Sequence, residues 1–341
     1  MKNIFTALLL ASSTMLPGQN PVTPNASPEA VELLRYIYSI SGEKTLAGQH
    51  CAPLVGSTRL SVSHRVYGKY PALFGQDFGF SFPGYWDGIN YRQQIVDEAI
   101  RRNHEGFIIT IMWHAVRPTE DEPVTFRESV QGELTDQEWT ELLTPGTQLN
   151  ERWKSQVDVI AWFLKQLKYA RVPVLWRPYH EMNGAWFWWG QKKGEDGYKK
   201  LWRMMYDRLV NFHGLNNLIW VYNTNEFKEG VDPHITYYPG DAYVDIIATD
   251  VYSEGFNQVN YDMMLKLAGD KPMALGEVGI PPTVDKLKEQ PKWAWFMRWG
   301  DPGGRGGREE AEMFNSDQVI TFEELPWVDI KDPFLHYPVL K

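Results

Sequence analysis

The segment VPVLWRPYHEMNGAWFWWG, residues 172–190, decides the fold. Its first half, Val172 to Trp176, is a nearly continuous apolar run, and it ends in Arg177, His180 and Glu181. Strands buried on both faces of a parallel sheet read as unbroken apolar runs, because neither face meets water. A core has no use for an arginine, a histidine and a glutamate within five residues. The run therefore reads as a buried strand whose C-terminal end emerges from the core.

Seven further segments repeat this pattern. KTLAGQH ends at Gln49 and His50, YPALFGQDFG at Gln76 and Asp77, and GFIITIMWH at His114. NLIWVYNTNE ends at Asn223 to Glu226, VDIIATDVY at Asp250 and Tyr252, KPMALGEVG at Glu277, and WAWFMRWG at Trp299. Helical patterns lie between them. ERWKSQVDVIAWFLKQLKYA puts Trp153, Val157, Ile160, Phe163, Leu164 and Leu167 on one face, and GYKKLWRMMYDRLVNFHG does so with Leu201, Met204, Met205, Leu209 and Phe212. Ahead of the first strand, SPEAVELLRYIYSISG reads as a helix capped by Ser27, with Pro28 in its first turn and Gly42 at its end.

Eight strand-then-helix units predict an α/β fold, a single-domain (β/α)8 TIM barrel. An open doubly wound sheet fits less well, since no Gly-rich phosphate loop follows any strand. GDPGGRGG, residues 300–307, reads as a flexible loop after the eighth strand. A length of 341 residues would suggest two domains at ~150 residues each, but barrels of this kind run larger as one unit. With no repeat or linker in view, residues 21–341 read as one domain. The stretch from Val116 to Asn150 is too long for an ordinary connection and is expected at the rim of the site.

Residues 1–20, MKNIFTALLLASSTMLPGQN, read as a secretory signal peptide, with Lys2, a short apolar run and a small-residue exit. The run is too short to span a bilayer. A secreted or periplasmic location follows as an expectation. A net charge of −9 argues against nucleic-acid or anionic-membrane partners, which need basic patches. The lone Cys51 has no disulfide or metal-type partner and reads as a small buried side chain. Fifteen tryptophans exceed what core packing usually needs, because each buried indole N–H requires an acceptor. The excess points to a cleft for flat, amphipathic ligands such as sugars.

In a barrel the active site sits at the C-terminal ends of the strands, which makes Asp77, Glu181, Glu226, Asp250 and Glu277 the candidate carboxylates. No zinc spacing and no G-x-S-x-G elbow occurs. Paired carboxylates in a tryptophan-rich cleft imply glycoside hydrolysis without metal or cofactor. Glu181 and Glu277, after the fourth and seventh strands, form the best pair. An apolar wall beside Glu181 would raise its pKa, as a general acid requires. Gly276 and Gly279 flank Glu277 and would let ligand atoms approach the backbone, while Arg177 and Tyr252 are placed to donate to it. Asp77 and Asp250 read as supporting or sugar-binding residues.

The motifs RPYHEMNGAWFWWG and LGEVG, in this order and spacing, resemble glycoside hydrolase family 26, the retaining β-mannanase family of the barrel clan with catalytic glutamates after strands 4 and 7. The resemblance covers the chain from SPEAVELL through WAWFMRW. It implies Glu181 as acid/base and Glu277 as nucleophile, with carboxyl groups ~5–5.5 Å apart. By matching motif it implies substrate-binding roles for His114, Arg177, His180, Trp186, Tyr252 and Trp299. His180 stands where most families of the clan place asparagine, which favours this family. The substrate implied is a mannan, glucomannan or galactomannan cut internally by a monomeric enzyme. β-1,3-Xylan, mixed-linkage β-glucan, exo-acting release of mannobiose, and an inactive sugar-binding barrel remain open alternatives. Of the four clustered rings, Trp186 is expected to touch substrate and Phe187 and Trp188 to pack beneath the loop, with Trp189 unassigned.

Overall fold

The computed structural model describes residues 19–81, 86–227, 233–253 and 256–329, so the signal segment read at residues 1–20 lies almost wholly outside them. Eight parallel strands, β1 (Thr45–His50), β2 (Leu73–Asp77), β3 (Ile108–Trp113), β4 (Val174–Pro178), β5 (Leu218–Asn225), β6 (Ile246–Val251), β7 (Met273–Val278) and β8 (Trp293–Trp299), pair in chain order. Pairing of β8 with β1, from Leu46 opposite Trp295 to His50 opposite Trp299, closes the barrel. Strands β1 to β7 are buried at every position, the physical reason their sequences run apolar without alternation. All eight strands lie where the apolar runs predict them. Among the described residues no helix is long and apolar enough to cross a membrane.

Helices α1 (Pro28–Ile40), α2 (Thr58–Tyr67), α3 (Arg92–Glu105), α4 (Asp136–Leu142), α5 (Gln148–Tyr169), α6 (Tyr198–Tyr206), α7 (Gln258–Ala268), α8 (Val284–Glu289) and α9 (Gly307–Phe314) accompany the strands. Ser27 caps α1 by accepting from Ala30 N. Thr147 does the same for α5 through Asn150 N, and the predicted face of α5 is buried from Trp153 to Leu167. The helix expected through Phe212 is not uniform. It changes to a π-helical turn over Asp207–Phe212, which widens the winding and rotates the later residues. Phe212 is thereby 63% exposed beneath the Arg208 guanidinium, while Trp202, Tyr206 and Val210 take the inward positions. The last glycines of the loop after β8 enter the cap and first turn of α9.

The tryptophan excess serves the core more than the cleft, contrary to the compositional reading. Trp113, Trp153, Trp176, Trp188, Trp189, Trp202, Trp220, Trp293 and Trp295 are all fully buried. Several satisfy their N–H, Trp153 on Tyr179 Oη and Trp202 on Tyr243 O among them, whereas Trp113, Trp176 and Trp220 find no acceptor for theirs among the described residues. Shape filling between barrel and helices evidently outweighs that cost.

Candidate active site

At the end of β4 the chain turns sharply. Tyr179 and Glu181 both occupy the left-handed region, at φ +46° and +56°, a conformation that costs non-glycine residues free energy. Neighbouring contacts hold it there. Glu181 N donates to Asn223 O at 2.8 Å, the Tyr179 carbonyl accepts from Tyr198 Oη, and the Tyr179 hydroxyl accepts from Trp153 Nε1. The turn places the Glu181 carboxyl in the wall of a cavity of about 420 Å³ at the C-terminal ends of the strands.

Glu277, from the end of β7, lines the same cavity. A register shift between β6 and β7 sets Asp250 opposite Glu277. Arg177 Nη2 donates to Glu277 Oε1 at 2.6 Å, and the Tyr252 hydroxyl donates to Oε2 at 2.5 Å. The other end of the guanidinium faces both oxygens of Asp250 at 3.3–3.4 Å. The two glycines beside Glu277 have a different purpose from the one read in the sequence. A Cβ at Gly276 would lie 1.7 Å from Asn223 Oδ1, and one at Gly279 would lie 2.9 Å from the Tyr252 ring. They make room for protein side chains, not ligand.

The electrostatics of the two glutamates differ. Burial, then the charge of Glu277, pushes the Glu181 carboxyl up to about 7, against the pull of the Trp186 N–H donated to Oε2 at 2.7 Å. Burial, then Glu277, also drives Asp250 well above the usual range, with Arg177 opposing. Arg177 loses by burial but gains more from Glu277 and Asp250, so its pKa rises. Enclosure of its hydroxyl end and the same two carboxylates raise Tyr252 well above an ordinary phenol, so it keeps the proton it donates.

Two histidines line the same cavity. His114 Nδ1 pairs with Asp77 Oδ2 at 2.6 Å, and Asp77 also accepts from the backbone of His114 and Gly79. The His180 ring stands edge-on to His114 at 4.6 Å between centroids, with Nε2 3.7 Å from Glu277 Oε1. Burial, then the neighbouring His114 and Arg177, lowers His180 well below the usual imidazole range. Trp299 forms one side of the cavity and stacks on His50 at 3.9 Å. Glu226 is not in the cavity wall; it accepts from Tyr252 N and Ser253 N and so fixes the loop that carries Tyr252.

The aromatic run divides differently from the sequence reading. Trp188 lies beneath the loop as expected, donating to Ala115 O. Trp189 is also buried and donates to His180 O. Phe187, expected to pack with Trp188, instead lines the cavity, stacked on Trp189 at 4.6 Å and set against His114 and His180. Trp186 is 37% exposed and lies across Gly184, where a Cβ would come within 2.2 Å of the indole. Phe126, from a π-helical turn in the long loop after β3, and Arg59, from the start of α2, complete the wall. The loop's unusual length signals the first; no motif marks the second.

His180, Glu181 and Asp250 each bring one possible ligand atom within 4.8 Å of the others. Any cation there would have to displace or tolerate the Arg177 charge paired to Asp250, so the donor set does not fit a resident metal.

The family model described as glycosyl hydrolase family 26 matches residues 22–324, nearly the whole described chain. The chain belongs to glycosyl hydrolase family 26. A mannan endo-1,4-beta-mannosidase of Thermothelomyces thermophilus is 36% identical over 90% of this chain and 63% of that protein. The structure of GH26A from Muricauda sp. shares 47% identity over 89% of this chain and 99% of the other, at a TM-score of 0.82. The beta-mannanase of a symbiotic protist of the termite Reticulitermes speratus, solved with a gluco-manno-oligosaccharide, is 28% identical over 90% and 98% of the two chains, at a TM-score of 0.78. This family 26 chain spans between half and two thirds of the length of the first curated relatives it matches.

Proposed function

We propose that this protein is a secreted or periplasmic endo-β-1,4-mannanase acting with retention on mannan, glucomannan or galactomannan. The observation that carries the reading is one cavity holding two carboxyl groups in opposite settings: Glu181 buried with its pKa pushed up to about 7, and Glu277 gripped by Arg177 and Tyr252. The names of the Thermothelomyces and termite-protist relatives support the substrate class.

In this mechanism Glu181, protonated below about pH 7, gives its proton to the glycosidic oxygen as Glu277 attacks the anomeric carbon. A covalent glycosyl–Glu277 ester forms and the leaving chain departs with the proton. Glu181, now a carboxylate, takes a proton from water, which attacks the anomeric carbon and releases Glu277. Two inversions give net retention. Trp299 supplies a flat face for the sugar, and Phe187 and Phe126 add further apolar wall.

Glu277→Ala is expected to reduce kcat on linear mannan by at least about three orders of magnitude while oligosaccharide binding persists in calorimetry. Wild-type turnover in that variant would remove Glu277 from the mechanism. Proton NMR of early products from mannan should show the β-anomer first. Reducing-end release from β-1,3-xylan or mixed-linkage glucan, with none from mannan, would keep the mechanism and reject the substrate.

A further inference from the structure

Among the described residues Arg59 is the one arginine in the cavity wall, and no part of the mechanism above uses it. It stands in the first turn of α2, just after the loop that follows β1. Three bonds hold it. Nε donates to Asp301 Oδ1 at 2.8 Å, and Nη1 donates to the backbone carbonyls of His50 and Ala52. The Asp301 carboxylate is 80% exposed, so that ion pair is worth little, and the carbonyls do most of the positioning. Among the described residues nothing accepts from Nη2. Nη2 is not among the buried atoms left without a partner either, so its two N–H groups reach open space. The side chain as a whole is only 12% exposed. A guanidinium fixed by backbone and largely enclosed, with one idle nitrogen, on a residue that lines a sugar-sized cavity, is a preorganised donor.

Its place in the barrel sets what it meets. Arg59 follows β1, and His50 at the end of β1 lies under Trp299 of β8. Glu181 and Trp186 follow β4, across the closed barrel from β8. The acid must face the leaving group, so the leaving chain extends on the β4 side. The retained chain then extends over β8 and β1. We infer that Arg59 is a specificity-determining residue whose Nη2 donates to a hydroxyl of the retained sugar next to the one on Trp299. The inference rests on the glycosidase reading and deepens it.

The test compares aryl β-glycosides carrying one or two retained sugars, in mannose, glucose and xylose series, on wild type and Arg59→Ala. The expected result is a loss of about tenfold or more in kcat/KM on the two-sugar substrate, seen mainly in KM, with little change on the one-sugar substrate. Asp301→Ala should leave both nearly unchanged. Equal losses on both substrates would mean that Arg59 only holds the β1 loop, and no loss on either would also overturn the inference. A series other than mannose turning over would reject the mannan reading alone, since the two-sugar to one-sugar ratio still reports on Arg59. Should wild type cleave none of them, calorimetric binding of the mannose, glucose and xylose disaccharides against their monosaccharides, wild type against Arg59→Ala, separates the same outcomes.

Discussion

The ends of β4 and β7 carry the same residue and treat it in opposite ways. Glu181 sits on a strained turn, buried, with one neutral donor, the Trp186 indole. Glu277 sits within β7, at a register shift, with a cation on one oxygen and a phenol on the other. Burial without a cation favours the protonated acid, whereas donors on both oxygens suit a carboxylate that must attack. The chemistry is thus assigned by the surroundings, since the side chains are identical. Each surrounding group can be removed singly.

The largest effect, after loss of Glu277 itself, is expected from Glu181→Gln. It keeps the shape and deletes the titratable proton, so kcat on mannan should fall about 10²- to 10⁴-fold. An aryl glycoside with an acidic phenol needs no protonation to leave. It should give a burst of phenol followed by slow turnover as the glycosyl–enzyme accumulates. Steady turnover without a burst, at the wild-type rate, would erase the distinction between the two glutamates.

Tyr252→Phe probes the other side. It removes the donor on Glu277 Oε2 and leaves Arg177 in place. One hydrogen bond to a charged group is worth about 1.5–3 kcal/mol, so kcat/KM should fall about 10- to 100-fold. Melting temperature should change little, because the ring is half-exposed. A large loss of stability with unchanged activity would make Tyr252 a structural residue only.

The barrel was legible because burial on both faces writes each parallel strand as an unbroken apolar run with a polar end. That end also marks the candidate carboxylates, which is why Glu181 and Glu277 stand out of the chain. Three features were not legible, each for a physical reason. The π-helical turn after Tyr206 depends on tertiary packing, so Phe212 reads as core when it is surface. Gly276 and Gly279 announce a close approach, but not that Asn223 and Tyr252 make it. Among four consecutive rings, the one that reaches the cavity is set by a backbone with two left-handed residues, and this brings Phe187 in and takes Trp188 under the loop.

The finest test of the comparison is the pH dependence of Trp186→Phe. Glu181 acts as an acid only while protonated, so kcat/KM of the wild type should fall as pH rises through about 7. The Trp186 N–H stabilises the ionised carboxylate and so works against burial, which raises the pKa. Phenylalanine keeps a ring at the position and deletes that donor. The pKa of Glu181 should therefore move further up, and the alkaline limb of the profile with it, by up to about one unit. The acidic limb, which does not belong to Glu181 in its acid role, should stay in place. An alkaline limb that stays fixed or moves down would mean that the indole does not govern Glu181, and that the contrast between the two glutamates rests on burial and mutual repulsion alone.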